Sequence, residues 1–295
     1  MTATPAPGTA AAPGTAPAGS AAPAAAGSYR ALVCHRLSDD LSGVEMRSLP
    51  ARAPGPRQVL VRLRAASVNF PDLLMTKGLY QFRPELPFVP GLEGAGVVEA
   101  VGSEGTRLSG GGRRLAHNKT GRFPQQILLP DTAVRRIPGG LDFAQAAAFQ
   151  AAAVTAYVAL VRRGNLAAGE TLLVHGASGG VGMATVQLGR HLGARVIATG
   201  TSDEKLAVVR EQGAHEVIDL RRENMRERVK ELTGGAGADV IFDPVGGDVF
   251  DESLRCIAWD GRLLVIGFAS GRIPSVSANI PLIKGFSVVG VRAGE

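Results

Sequence analysis

From residue 151 onward, short runs of β-branched and aliphatic residues alternate with segments whose apolar positions recur at helical spacing. Strands are predicted at 171–175, 195–199, 216–219, 239–243, 262–267 and 286–291, and helices at 181–192, 203–212, 223–232 and 248–258. Strand and helix in turn imply an α/β fold, a doubly wound parallel sheet of six strands with helices on both faces. Residues 29–149 read differently. Short apolar runs at 31–33, 59–63, 96–101 and 126–129 are broken by Pro and Gly, and 59–63 alternates strictly as a half-buried strand does. A small, irregular β-barrel domain is expected there. Residues 1–28 carry no charge and are almost wholly Ala, Pro, Gly, Thr and Ser, a composition that cannot build a core. The expected division is a flexible tail at 1–28, a β-rich domain at 29–150 and a dinucleotide-binding domain at 151–295.

Composition narrows the functions. With 45% hydrophobic and 20% charged residues among 295, the chain has the balance of a globular protein. No apolar run is expected to reach the roughly 20 residues of a membrane-spanning helix. Two cysteines, Cys34 and Cys256, exclude a Cys-built zinc site or a disulfide framework and suit a reducing, cytoplasmic setting. The five histidines never fall at a metal-binding spacing. The net charge of +6 comes from dispersed arginines, and aromatics make up 5%, so nucleic-acid binding is disfavoured.

The segment most informative about chemistry runs from Leu172 to Gly182. A buried strand enters glycines spaced three apart, Gly176, Gly179 and Gly182, and then a helix. Glycine lets the backbone turn sharply and approach a pyrophosphate, and the helix N-terminus presents unpaired N–H groups to it. Ser178, Gly180 and Val181 complete this candidate phosphate loop. The same letters spell Gly176-x-Ser178-x-Gly180, a nucleophile elbow. That reading needs an acid and then a histidine further along, and the last histidine, His215, follows too soon. At the end of the second strand an NAD site wants an acid for the ribose hydroxyls. Here stand Thr199-Gly200-Thr201-Ser202, with Lys205 one turn later. Thr201, Ser202 and Lys205 therefore point to a 2′-phosphate and to NADPH, although Ser202 is also a good helix cap.

Four stretches carry a family resemblance: Ala66-Ser67-Val68-Asn69-Phe70-Pro71-Asp72, Leu86 to Gly96, the glycine loop, and Phe242-Asp243-Pro244-Val245-Gly246-Gly247. Together they resemble the zinc-free, zeta-crystallin-like quinone oxidoreductase branch of the medium-chain dehydrogenase/reductase superfamily. The resemblance implies a GroES-like catalytic domain, a Rossmann domain, NADPH between them, and hydride transfer to quinones or α,β-unsaturated carbonyls. It leaves open an enoyl-thioester reductase or a non-catalytic NADPH-binding protein. Zinc-dependent relatives have Cys where this chain has Asn69 and His where it has Leu92. Amide and alkyl groups cannot replace a thiolate and an imidazole, so no zinc is expected. The resemblance also implies Asn69 and Tyr80 on the substrate side, as donors to a developing oxyanion. It implies Thr155 at a helix start, Val245, Gly246, Gly267, Phe268 and Ala269 around the nicotinamide, and a homodimer through 286–291. Asp243 is expected to cap a turn. Three departures are visible: relatives continue past the position of Glu295 and return to the first domain, the 110–114 and 123–126 stretches are unusual, and Leu220 replaces a Tyr.

Overall fold

The computed structural model describes residues 27–104, 112–117 and 120–293, so nearly all of the expected tail, and Gly110 and Gly111 of the 110–114 stretch, lie outside the described residues. An antiparallel pair, β1 (Ser28–Cys34) and β2 (Val44–Pro50), precedes a five-stranded antiparallel sheet. That sheet has β3 (Gln58–Ser67), β4 (Glu93–Val101), β5 (Arg113–His117), β6 (Gln126–Pro130) and β7 (Val134–Arg136) in the order β6-β3-β4-β5-β7. The predicted alternation in β3 holds: Val59 and Val61 are fully buried and pack with Val98, Ala116 and Leu129. Isolated bridges from Ala31 to Pro124 and from Cys34 to Phe88 fasten β1 to the segments that lead into β6 and β4. A short helix, α1 (Phe70–Thr76), lies between β3 and β4.

The second half is a six-stranded parallel sheet, ordered β10-β9-β8-β11-β12-β13. Its strands are β8 (Thr171–Val174), β9 (Arg195–Gly200), β10 (Glu216–Asp219), β11 (Ala238–Asp243), β12 (Ile257–Val265) and β13 (Ser287–Gly290). The intervening helices are α3 (Gly180–His191), α4 (Asp203–Glu211), α5 (Met225–Leu232), α6 (Gly247–Cys256) and α7 (Asn279–Lys284). Alternate strand residues feed two cores. Leu172, Val174, Val196, Val240 and Phe242 meet Val186 of α3 on one face, while Leu173, Ile197, Ile218 and Ile241 meet Val229 of α5 and Phe250 of α6 on the other. Strands buried on both faces read as continuous apolar runs for this reason.

Three elements depart from expectation. Strand β12 follows α6 at once, with Ile257 paired to Ala238 before the register shifts to Arg262 beside Val240. The extra residues bulge out at Asp260, whose φ is +59°. Helix α7 is additional. The third is α2 (Phe143–Tyr157), which continues through a π-helical turn to Arg163. Its 21 residues, with mean hydropathy 1.5, form a helix long and apolar enough to cross a membrane, which corrects the expectation that no such run exists. Here α2 packs against β3, β4 and α3, burying Ala146, Ala147, Ala156, Ala159 and Leu160. The expected division at residue 150 falls inside it.

Candidate active site

The glycine loop sits at the C-terminal end of β8, held on both sides. His175 N donates to Phe242 O of β11 at 3.0 Å, and Ala177 N to Thr199 O of β9 at 3.2 Å. Gly176 has φ +55°, a left-handed conformation that glycine adopts freely, and its carbonyl accepts from Gly179 N at 2.9 Å. Helix α3 then begins at Gly180, with Gly179 as N-cap. The N–H groups of Gly180, Val181 and Gly182, in its first turn, have no partner one turn back. Ser178, Gly179 and Gly180 are exposed, so these amides and the positive end of the helix dipole face open space at the sheet edge. A β-carbon on Gly180 would meet nothing within 4 Å, the clearance a pyrophosphate needs. The residues present fit a dinucleotide.

The loops after β11 and β12 converge on the same edge. A β-carbon on Gly176 would lie 3.3 Å from Val245, and one on Gly246 3.0 Å from the Phe268 ring. Ala269 N donates to Pro244 O at 3.1 Å and Ser270 N to Val245 O at 2.9 Å. Gly176, Val245, Gly246, Gly267, Phe268 and Ala269 are thus brought together. Asp243 caps the turn as expected, its Oδ1 accepting from Val245 N at 2.8 Å and Gly246 N at 2.9 Å.

At the end of β9, Ser202 is the N-cap of α4 and accepts from Lys205 N at 3.4 Å. Thr201 and Lys205 are exposed beside it. Sequence reasoning missed their neighbours. Arg221 and Arg222, just after β10, both pair with Asp203 and with Asp219. The guanidinium of Arg221 holds the Asp219 carboxyl well below the usual carboxylate range. The acid that follows Ser202 is therefore neutralised by two arginines. The dipeptide Arg221-Arg222 was the signal for this cluster.

Thr155 is not at a helix start. It lies in the last turn of α2, its hydroxyl donating to Ala151 O at 2.7 Å. The true start is marked by Asp142 and Gln145: Asp142 Oδ1 accepts from Gln145 N at 2.7 Å, and Gln145 Oε1 accepts from Asp142 N at 3.0 Å.

Asn69 is the N-cap of α1, and its backbone N–H donates to Asp72 Oδ2 at 2.9 Å. The other oxygen of Asp72 accepts from Gly91 N at 3.1 Å, fastening the helix start to the turn before Leu92. The side-chain amide of Asn69 donates to Ser67 Oγ at 3.0 Å and to Glu93 Oε1 at 3.2 Å. Glu93, 3% exposed, also accepts from Ser67 Oγ at 2.6 Å and from Ala151 N of α2 at 2.8 Å. Sequence reasoning passed over Glu93, although a lone acid in the run Gly91 to Val98 was a visible signal. Tyr80 is placed apart from this network. Its ring packs against Cys34, Met75 and Phe88, and no hydrogen bond joins its hydroxyl to Asn69.

Two buried groups give this scaffold opposing pH dependences. Burial pushes the Asp72 carboxyl up to about 6, against the pull of its two N–H donors, and Glu93 adds to the rise. Native protein then holds a proton that the unfolded chain releases near 3.8, so stability present below that pH is lost as pH rises through 6. His175 is the reverse. It accepts from Thr199 Oγ1 at 3.0 Å and donates to Ser253 Oγ at 2.8 Å, because the Ser253 proton goes to Val249 O. Burial pushes it down to about 4, so its contribution is present above 6.5 and is lost as pH falls through 4. Replacing Asp72 with Asn removes only the first effect. Relative to the parent, D72N should gain up to about 3 kcal/mol between pH 4 and 7, read from urea midpoints. A pH-independent difference would contradict the assignment.

A phosphate-ready glycine loop in a parallel sheet, flanked by a smaller antiparallel domain, defines a nicotinamide-dependent oxidoreductase of two-domain build. Comparison with known proteins makes this specific. Residues 55–160 match the alcohol dehydrogenase GroES-like domain and residues 180–295 the zinc-binding dehydrogenase family. The chain is 45% identical over 269 residues to quinone oxidoreductase-like protein 2 homolog of Nematostella vectensis, covering 90% of this chain and 73% of that protein. It is 42% identical to a quinone oxidoreductase of Pseudomonas aeruginosa, over 82% of this chain and 74% of that one. The quinone oxidoreductase from Thermus thermophilus, solved also as its complex with NADPH, superposes with TM-score 0.76 at 34% identity, over 89% and 80% of the two chains. The chain belongs to the quinone oxidoreductase branch of the medium-chain dehydrogenase/reductase superfamily. It is an NADPH:quinone oxidoreductase-like enzyme that uses a nicotinamide cofactor.

Proposed function

We propose that the protein reduces quinones or α,β-unsaturated carbonyls with NADPH and without zinc. The observation that carries the cofactor choice is the hydroxyl-rich corner formed by Thr201, Ser202 and exposed Lys205, beside Arg221 and Arg222, whose charges are balanced by Asp203 and Asp219. A 2′-phosphate is favoured by such a set and a bare ribose is not. The bound cofactor supplies hydride. The protein supplies the loop amides that seat its pyrophosphate, the converging loops at Val245 and Phe268, and a hydrogen-bond donor for oxygen on the acceptor. Asn69 is that donor in this proposal. Zinc independence rests on the donor set: Asn69 and Leu92 stand where thiolate and imidazole are needed, and no cluster of three or more His, Cys, Asp or Glu side chains suited to a metal occurs among the described residues. We further propose that two copies pair along β13, the open sheet edge, beside exposed Leu282 and Ile283, which sedimentation at rising concentration tests.

Steady-state rates with 1,4-naphthoquinone, an enone and an acyl thioester, each with NADPH and NADH, test the main proposal. Turnover should favour NADPH and the quinone or enone, and survive a chelator. Preference for the thioester, or loss of activity with the chelator, would contradict it. Lys205→Ala should lower kcat/KM for NADPH by about tenfold, the value of one charge-assisted bond, and leave NADH unchanged.

A further inference from the structure

We propose that Glu93 is a positioning residue: its buried carboxylate fixes the Asn69 amide in the one orientation that leaves an N–H free for the acceptor oxygen, and ties that amide to the helix carrying Thr155. The inference rests on the proposed donor role of Asn69 and adds how that donor is held.

The geometry follows from three distances. Asn69 Nδ2 lies 3.0 Å from Ser67 Oγ and 3.2 Å from Glu93 Oε1, and these two oxygens are 2.6 Å apart. Seen from Nδ2, they subtend about 50°, whereas the two amide hydrogens diverge by about 120°. A single hydrogen pointing between the oxygens serves both. The second is directed away from the pair and remains to donate.

The carboxylate also decides which way the amide faces. If the amide were flipped, Asn69 Oδ1 would stand against Glu93 Oε1, two acceptors in contact with no proton between them. The hydroxyl of Ser67 cannot relieve this, since its own proton is committed to Glu93. Glu93 is 3% exposed, so water does not screen the repulsion.

The second carboxylate oxygen extends the arrangement. Glu93 Oε2 accepts from Ala151 N, and Ala151 O accepts from the Thr155 hydroxyl one turn later. A single side chain thus connects the end of β3, the start of α1 and the middle of α2. The acceptor side of the site is registered against the helix expected to line the cofactor.

Glu93→Gln is nearly isosteric and tests this. A carboxamide has one acceptor oxygen, so either the Asn69–Ser67 pair or Ala151 N then faces an NH2 group. The measurements are kcat and KM for 1,4-naphthoquinone with NADPH, and NADPH affinity by fluorescence, in E93Q, N69A and the double variant. The proposal expects N69A to lower kcat about 100-fold and E93Q about 10- to 100-fold, with NADPH affinity unchanged in both. It also expects the double variant to be no slower than N69A, because Glu93 acts through Asn69. If N69A is slow and E93Q is not, or if their effects multiply, the positioning role is overturned while the donor role of Asn69 stands. If N69A turns over normally, both are overturned. Should E93Q fail to fold, Ser67→Ala removes one contact to the same oxygen and is expected to lower kcat severalfold without altering NADPH affinity. Unchanged kcat in S67A would count against the proposal.

Discussion

Gly182→Ala is expected to destabilise the fold by on the order of 3 kcal/mol and to weaken NADPH binding by more than about 100-fold. A β-carbon at this position would stand 2.3 Å from Gly176 O and 2.8 Å from Ala177 Cα, backbone atoms that cannot rotate aside. Nor can the loop retreat: Gly176 O also accepts from Gly179 N, and Ala177 N is bonded to Thr199 O. The strain therefore falls on α3, which must lift from the end of β8 and carry its first-turn amides with it. Losing two charge-assisted bonds at about 1.5–3 kcal/mol each accounts for the affinity change. Gly180→Ala is the informative partner, because its β-carbon enters open space. Its melting temperature should stay level or rise, since Ala is the better helix former. Its NADPH affinity should fall about tenfold if phosphate occupies that space, one bond's worth. Calorimetric titration with NADPH, alongside thermal unfolding, separates the two. Parent-like affinity in both variants would place the cofactor elsewhere.

The glycine loop was legible in the sequence because everything it needs is local. A strand, a bend and a helix follow one another within a dozen residues, and glycine spacing reports the bend directly. The strands of the parallel sheet were legible for a related reason. Burial on both faces leaves uninterrupted apolar runs such as Leu172 to Val174 and Val240 to Phe242. Only the resemblance pointed to a helix here, and it set the start at Thr155, twelve residues late; Ala fills so much of α2, on the buried and open sides alike, that no polar face marks a period. Only the Asp142–Gln145 cap announced its start. Helix α1 spans seven residues, too few to show periodicity, and the bulge at Asp260 follows from where Gly285 O sits, a contact that local sequence does not encode.

The acceptor side shows the sharper limit. Ser67 and Asn69 meet Glu93 across 26 and 24 residues of chain, and Glu93 meets Ala151 across 58. Periodicity cannot pair such positions. What the sequence did carry was an anomaly, an acid set among small apolar residues, and burial of a charge demands partners. Asp219, buried at the end of β10, has the same need, and Arg221 and Arg222 beside it meet that need.

Arg122 is a buried charge without such partners, and Arg122→Met should raise stability by about 3 kcal/mol. The side chain is fully buried. Among the described residues its Nε and Nη2 have no hydrogen-bond partner, and Nη1 reaches only the carbonyls of Thr120 at 3.3 Å and Gly121 at 3.5 Å. Burial alone pushes its pKa down to about 10 from 12.5, so at pH 7 the group is still a cation. A fall of that size corresponds to about 3 kcal/mol of desolvation that no carboxylate among the described residues offsets. Nor do the neighbours around the adjacent cavity supply an anion, since Arg30, Arg64, Phe123 and Gln125 line it without an acid. Methionine fills most of the same volume with no charge and adapts to irregular space. The melting temperature should rise by about 6–12 °C, taking roughly 2–4 °C per kcal/mol for a chain of this size. NADPH affinity should not change, because Arg122 lies in the antiparallel half, away from the glycine loop. A fall in melting temperature would mean instead that the guanidinium is matched by a bound anion, and added phosphate would then stabilise the parent protein and not R122M.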